Sequence, residues 1–345
     1  MIFIDGLGLK QFQYFDNKLE SNTLSSLKER GIFLPVKSVI PSETFASTYS
    51  IFSGKDTTEH PFVGNRFCIP TSDGLKEFDL KDREGVKKAR NEFQKDIEPN
   101  FFEVAEKEGY NIRYISQAAD ESRFTKDLIL GGCSGVSFTH KSRLGEIFKT
   151  SFSFISNSVE DDQNFVLQIY IDEADRKWHD DGPYSHRIME EISDKIGTFL
   201  GLLANNIDLS STLLVIFSDH GIVRTPLDIF YEELEAGERD VLFESGMRYT
   251  SFYLDPPRKG KAEKIGENID DDLDVIIKRN SKWSDSKTFP DLLIYPKSNL
   301  KFSRKEKIPE EETAPAFQHF GVHGGASFDE RFGILTMYSL GEPPE

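Results

Sequence analysis

A chain of 345 residues, 37% hydrophobic and 12% aromatic with 29 Phe, can build one large domain or two smaller ones, which excludes a disordered chain and a small disulfide scaffold. The formal charge of −17 excludes a protein that holds nucleic acid or an anionic membrane by charge, because the phosphates would repel it. Cys68 and Cys133 stand at no metal or disulfide spacing and predict two free thiols in a reducing compartment.

Residues 1–4 are an apolar run that stops at Asp5-Gly6-Leu7-Gly8, the pattern of a buried strand entering a tight loop. Residues 22–30 predict a helix with Leu24 and Leu27 on one side. A strand turned at Pro41 is expected over 31–40, and a short helix stopped at Gly54 over 45–52. Residues 56–98 are polar and Lys-rich, with a weak helical pattern after Leu80, as in an insertion lying over the domain. Strands follow at 111–116 and, from NFVLQIYI, at 164–171. An amphipathic helix is expected over 185–205, where Ile188, Ile192, Ile196, Phe199 and Leu203 recur at steps of three and four. TLLVIF at 212–217 is a continuous apolar run, as expected where both faces of a parallel sheet are covered. Beyond Arg224 the pattern loosens. Residues 255–267 read as an exposed loop, the acidic run 270–274 as a solvated face, and 291–295 and 333–338 as late strands. The alternation predicts an α/β fold, a mostly parallel central sheet flanked by helices. It forms a single domain over 1–345 with inserted cap segments at 56–149 and 225–307.

Ligands of open α/β sheets gather beyond the carboxyl ends of strands. Asp5 follows the first strand, and Asp172, Asp175 and His179 follow the one at 164–171. Ser218-Asp219-His220-Gly221 follows the one at 212–217, and Gly321-Val322-His323-Gly324-Gly325 lies near the C-terminus. Asp with His is a donor mixture for borderline divalent metals, zinc first and manganese as the alternative. Each has a bland reading alone, since an Asp after a strand is usually a cap and an isolated His has no metal role. Their joint occurrence points to a metal site. Adjacent Asp219 and His220 point to opposite sides and can serve two ions, or one ion and its surroundings.

Five segments occur in the order and rough spacing of the alkaline phosphatase superfamily: MIFIDGLG at 1–8, PSETFASTYSIFSG at 41–54, YIDEADRKWHDDGP at 170–183, SDHGI at 218–222 and GVHGG at 321–325. The chain most resembles its type I phosphodiesterase/nucleotide pyrophosphatase branch. The resemblance implies an alkaline-phosphatase-like catalytic domain with two divalent ions. Asp5, Asp219 and His220 would hold one, Asp175, His179 and His323 the other, with Thr44 as nucleophile between them. It also implies hydrolysis of phosphodiesters or nucleotide pyrophosphates through a covalent phospho-threonine. Asp172 is read as a supporting or capping residue. His319 competes with His323 for the ligand role, and Gly324-Gly325 favours His323. His60, His140 and His186 receive no role.

The chemistry fits these residue types. A Thr hydroxyl is nearly inert at neutral pH until a dication lowers its pKa, and two ions ~4 Å apart can stabilise both attacking and leaving oxygens. Asp5, Asp175 and Asp219 alone would repel a phosphate, whereas two dications reverse the local sign. The sequence departs from the branch at Ser47, a substrate-binding candidate that stands where Asn is usual. It departs again at Ala174 and at Trp178, whose indole is expected to narrow the entrance or alter substrate access. EHPFVGN at 59–65 resembles a segment after the nucleophile helix and makes Asn65 the second substrate-binding candidate. The alternatives are a phosphomonoesterase or phosphomutase with the same ligands, a sulfatase, and a non-catalytic binding protein on a hydrolase scaffold. CIPTS at 68–72 lacks the Arg that a sulfatase signature needs. The expected partner is a small phosphate ester or nucleotide, with no stable nucleic-acid binding. Neither a membrane span nor a signal peptide is read, so a cytoplasmic location is expected; oligomeric state is left open.

Overall fold

The computed structural model describes residues 1–19, 23–72, 74–118, 124–224, 227–230, 242–246, 248–253, 273–277, 288, 290, 292–296, 300–303, 321–325 and 327–340. Its centre is a seven-stranded sheet in the order Ile32–Lys37, Phe332–Ser339, Leu213–Phe217, Ile2–Ile4, Phe165–Ile171, Asn111–Ser116 and Ser137–His140. Every pairing is parallel except those of Phe332–Ser339, which runs antiparallel to both neighbours. This is the mostly parallel α/β sheet expected from the alternation of runs.

Side chains of successive strand residues leave opposite faces of a sheet, and here both faces are covered. Ile2, Ile4, Ile169, Ile171 and Ile216 enter one apolar layer with Trp178, Ile188, Ile192 and Ile196. Phe3, Tyr170 and Phe217 enter a second layer dominated by aromatic rings. Phe3 stacks on Phe217 with centroids 5.0 Å apart and meets Tyr170 edge-on at 4.9 Å. Double coverage is why these strands carry no polar alternation.

His186–Asn206 buries Ile188, Ile192, Ile196, Phe199 and Leu203, the face expected from their spacing. Several helices lie outside the sequence-based expectation, two of them long. Leu9–Lys18 buries Leu9, Phe12 and Phe15, and Leu144–Glu160 buries Leu144, Ile147, Phe148 and Ile155. Within 56–149, Arg66–Thr71 and Gly74–Asp79 pair as a hairpin apart from the central sheet. Asn111–Ser116 and Ser137–His140 belong to the sheet itself. Within 225–307, Leu242–Gly246, Tyr249–Tyr253, Leu292–Pro296 and Leu273–Ile277 form an antiparallel sheet. The loop expected at 255–267 lies outside the described residues, as does 270–272 of the acidic run. Among the described residues, no helix is long and apolar enough to cross a membrane.

Candidate active site

Three neighbouring strands, Leu213–Phe217, Ile2–Ile4 and Phe165–Ile171, open at their carboxyl ends onto one place. The Asp5 N–H donates to Ile171 O at 2.9 Å, joining two of the exits. Ser218 Oγ donates to Leu7 O at 2.6 Å and accepts the Ile334 N–H at 2.9 Å, joining the third. Two glycines make the approach possible. Gly6 has φ +75°, and a Cβ there would lie 3.1 Å from both Cβ and Oδ1 of Asp175. A Cβ on Gly221 would lie 2.2 Å from Asp329 O and 2.9 Å from Gly8 Cα, so only bare backbone lets these loops meet.

Asp5, Asp219, His220 and His323 are all buried here. His220 Nε2 lies 3.4 Å from Asp5 Oδ1 and 3.1 Å from Asp219 Oδ2. Asp175 and His179 occupy one face of the helix Glu173–Asp181, with His179 Nε2 3.3 Å from Asp175 Oδ2. His323 Nε2 lies 3.7 Å from Asp175 Oδ1, and its ring stacks on that of His220 with centroids 3.9 Å apart. The ligand atoms of Asp5, Asp219 and His220 lie within 4.8 Å of one another, as do those of Asp175, His220 and His323. The structure thus gathers all six residues proposed as ligands in one place. His220 belongs to both tight groups, and His179 reaches the second through Asp175.

The hydrogen bonds on the far side of each ring fix what faces inward. His179 Nδ1 lies 2.6 Å from Gly321 O, His220 Nδ1 3.1 Å from Gly221 O, and His323 Nδ1 2.9 Å from Ser42 O. A carbonyl accepts only, so each Nδ1 carries the hydrogen and a neutral ring turns the lone pair of Nε2 toward the carboxylates. Lone pair against carboxylate is unfavourable without a proton or a cation between them. Asp175 Oδ1 and Asp219 Oδ2 are also buried and accept no hydrogen bond among the described residues. Imidazole and carboxylate donors with unspent lone pairs fit a divalent metal.

The acidities of these groups reflect their burial and their mutual charges. Burial pushes Asp219 up to about 8, against the pull of the Gly6 N–H bond. Burial lowers His220 to about 4, and burial with the nearby His220 charge lowers His323 to about 3. Burial works to raise Asp175, but the charges of His179, His323 and His220 outweigh it and hold the carboxyl below its usual range. Burial works to lower His179, and Asp175 outweighs it, so this imidazole rises.

Thr44 opens the helix Thr44–Ser53, and its Oγ1 lies 3.3 Å from His220 Nε2. The Phe45 N–H in the same first turn donates to Asn65 Oδ1 at 3.2 Å. Ser47 is buried, and its Oγ lies 3.1 Å from Ser38 Oγ. Asp172 holds the N-cap position of its helix without a capping hydrogen bond, and sits 3.8 Å from Arg176. His60 bonds to Ser50 and Phe62, His140 to Gln117 O, and His186 to Tyr14. His319 lies outside the described residues.

One expectation is corrected. Trp178 does not narrow an entrance: it is 0% exposed and stacks on Phe15 at 5.7 Å within the core. Trp178→Ala is therefore expected to cost about 3–5 kcal/mol, read as a lower Tm, with the range of accepted esters unchanged. An unchanged Tm with a broadened range would restore the entrance reading.

Residues missed from sequence are those that support the ligands. The Tyr170 hydroxyl donates to Asp5 Oδ2. Arg248 Nη2 and Nε reach Glu330 at 2.9 and 3.3 Å, and Glu330 accepts the Gly325 N–H at 2.9 Å beside the His323 turn. Tyr170 could have been noticed as a hydroxyl one step from the end of an apolar strand. Arg248 gives no signal in sequence.

The family model for type I phosphodiesterase/nucleotide pyrophosphatase matches residues 1–326. Among solved structures, murine ectonucleotide pyrophosphatase/phosphodiesterase 5 is similar with a TM-score of 0.73 and 14% identity, covering 98% of this chain and 87% of that chain. The human protein of the same name gives 0.72 and 13%, with the same coverage. Phosphonoacetate hydrolase from Sinorhizobium meliloti, solved with phosphonoformate, gives 0.72 and 15%, covering 100% of this chain and 90% of that chain. At such identities the likeness is one of fold. No protein of curated function matches the chain in sequence. Because the family match spans everything from Asp5 to His323, the chain belongs to the type I phosphodiesterase/nucleotide pyrophosphatase family, hydrolases of the alkaline phosphatase superfamily.

Proposed function

We propose that this chain hydrolyses phosphodiesters or nucleotide pyrophosphates with two divalent cations, zinc in the first instance, and Thr44 as the nucleophile. Asp5, Asp219 and His220 hold one cation, and Asp175, His179 and His323 hold the other. The observation that carries the reading is the place of Thr44. Its hydroxyl is 3.3 Å from the Nε2 of His220, the side chain shared by both groups of ligand atoms.

Cations bound there supply Lewis acidity and positive charge, which make a hydroxyl acidic and a phosphate welcome. The chain's residues do the rest. The Thr44–Ser53 helix starts at Thr44, so the positive end of its dipole favours an anion there. Asn65 takes the Phe45 N–H on Oδ1, leaving Nδ2 as its donor end for a phosphate oxygen. Ser47 is the weaker substrate contact, since its hydroxyl already meets Ser38. Thr44 Oγ1 bonds to phosphorus as the alcohol or nucleotide leaves with a proton. Water then cleaves the phospho-threonine ester and returns the hydroxyl. An inactive threonine-to-alanine variant of the murine protein was solved with AMP, which supports a nucleotide-sized ligand.

A panel of bis-aryl phosphate, aryl phosphate and aryl phosphonate esters tests the substrate class. The diester should lead the monoester by at least ~10-fold in kcat/KM. A faster monoester would favour a phosphomonoesterase or phosphomutase on the same ligands.

A further inference from the structure

Ser42, Glu43 and Thr44 tie three distant segments together. Ser42 Oγ donates to Gly325 O at 3.0 Å and accepts the Gly324 N–H at 3.2 Å, while Ser42 O faces His323. Glu43 occupies the N-cap position of the Thr44–Ser53 helix but makes no capping bond with its side chain. Its Oε2 accepts instead from the Asn65 N–H at 2.5 Å and the Tyr249 hydroxyl at 2.9 Å. The nook is closed by Gly64, where a Cβ would fall 2.8 Å from Tyr249 Oη and 3.3 Å from Glu43 Oε2. Glu43 is buried and one of its oxygens serves two donors from distant parts of the chain, so its place beside Thr44 asks for a use.

We infer that Glu43 is a positioning residue for the Thr44 reaction, one oxygen clamping the Asn65 loop and the Tyr249 strand onto the start of the nucleophile's helix. The inference rests on the reading of Thr44 given above. Cut the clamp, and Asn65 loses its anchor while its Oδ1 still holds Phe45 N–H, so the first turn and the donor end of Asn65 shift relative to a bound phosphate. A displacement near 1 Å is enough to cost ~10²-fold in rate. The geometry also makes a finer point. Both donors use one oxygen with two lone pairs, and the amide oxygen of Gln offers the same two. Shape, and not charge, is what Glu43 supplies.

The test compares Glu43→Ala, Glu43→Gln, Tyr249→Phe and Thr44→Ala on a bis-aryl phosphate, with metal content and Tm measured for each. Glu43→Ala should lower kcat ~30–100-fold with KM within ~3-fold and metal content unchanged. Glu43→Gln should recover to within ~3-fold of the parent, and Tyr249→Phe, which deletes one hydroxyl, should fall between. Full activity in Glu43→Ala, or a Glu43→Gln as slow as Glu43→Ala with metal and Tm intact, overturns the inference. If Glu43→Ala does not fold, an unchanged kcat in Tyr249→Phe overturns it equally. A Thr44→Ala variant that still turns over sinks the nucleophile reading itself. Thr44→Ala dead beside an unaffected Glu43→Ala sinks only the positioning role.

Discussion

Thr44→Ala should lose at least ~10³-fold in kcat on a bis-aryl phosphate while keeping the parent's metal content and Tm. The asymmetry follows from where the hydroxyl sits. Thr44 is half-buried at the first position of its helix, so removing Oγ1 and a methyl opens no deep cavity and costs at most about 1 kcal/mol. None of the six residues proposed as ligands is replaced; His220 loses only the hydroxyl 3.3 Å from its Nε2, and the backbone of the first turn remains in place. Only the attacking atom goes. Thr44→Ser retains that atom and should stay within ~10-fold of the parent. Metal analysis, thermal melting and steady-state kinetics on the same three samples check the pattern. A Thr44→Ala protein with parental turnover would remove Thr44 from the chemistry.

Removal of divalent metal should abolish turnover, and loss of the Asp219 proton should weaken the metal-free protein as pH rises toward 8. The sign follows from the groups in turn. His220 and His323 stay neutral when folded down to about 4 and 3. Unfolding lets them take protons below about 6.5, so acid favours the unfolded chain there. Above that pH they are neutral in both states and add no slope. Asp219 behaves oppositely. Its folded pKa is raised to about 8, so the stability its proton gives is lost as pH rises through that value, and the raised His179 acts in the same direction. The buried Met1 amino group, lowered to about 5, works the other way, because unfolding lets it take a proton below about 8, so the Asp219 contribution is read as the difference in metal-free Tm between the parent and Asp219→Asn. Between about pH 6.5 and 8 the metal-free parent should lose Tm relative to Asp219→Asn. A cation that displaces the Asp219 proton should bind more tightly as pH rises over the same interval. Calorimetry of chelated protein against pH decides it. A metal-free parent that gains Tm relative to Asp219→Asn from pH 6.5 to 8, or turnover indifferent to chelator, contradicts this account.

What could be seen in the sequence was the contrast at strand exits. A run such as TLLVIF has no polar residue to spare, so the Ser-Asp-His that follows stands out, and the same holds for Asp5 after MIFI. Those contrasts survive folding because an exit of a buried strand has only one place to go. Trp178 was misjudged through its neighbour. His179 shares a helix face with Asp175 four residues away, but each step along a helix turns ~100°, so the residue before His179 looks into the core. Leu9, Phe12 and Phe15 carried a helical spacing that the polar residues between them hid.

The supporting shell was not legible for a different reason. Glu43 and Tyr249 are far apart in the chain, as are Arg248 and Glu330, and neither pair has a local signature. Such contacts exist only once the sheet has brought strand exits, the Thr44 turn and the His323 turn together. Glu43 did carry one hint, an acidic residue within an otherwise uncharged stretch beside the nucleophile position. Its use, an acceptor shared by Asn65 and Tyr249, needed coordinates.

The most direct measurement is to quench turnover of a nucleotide phosphodiester in acid and map the covalently modified peptide by mass spectrometry. The account predicts a phosphorus-ester adduct on Thr44 of the peptide that contains PSETF, present with divalent metal and lost in Thr44→Ala. An adduct on another side chain, or rapid turnover with none at all under conditions that trap such esters, would contradict it.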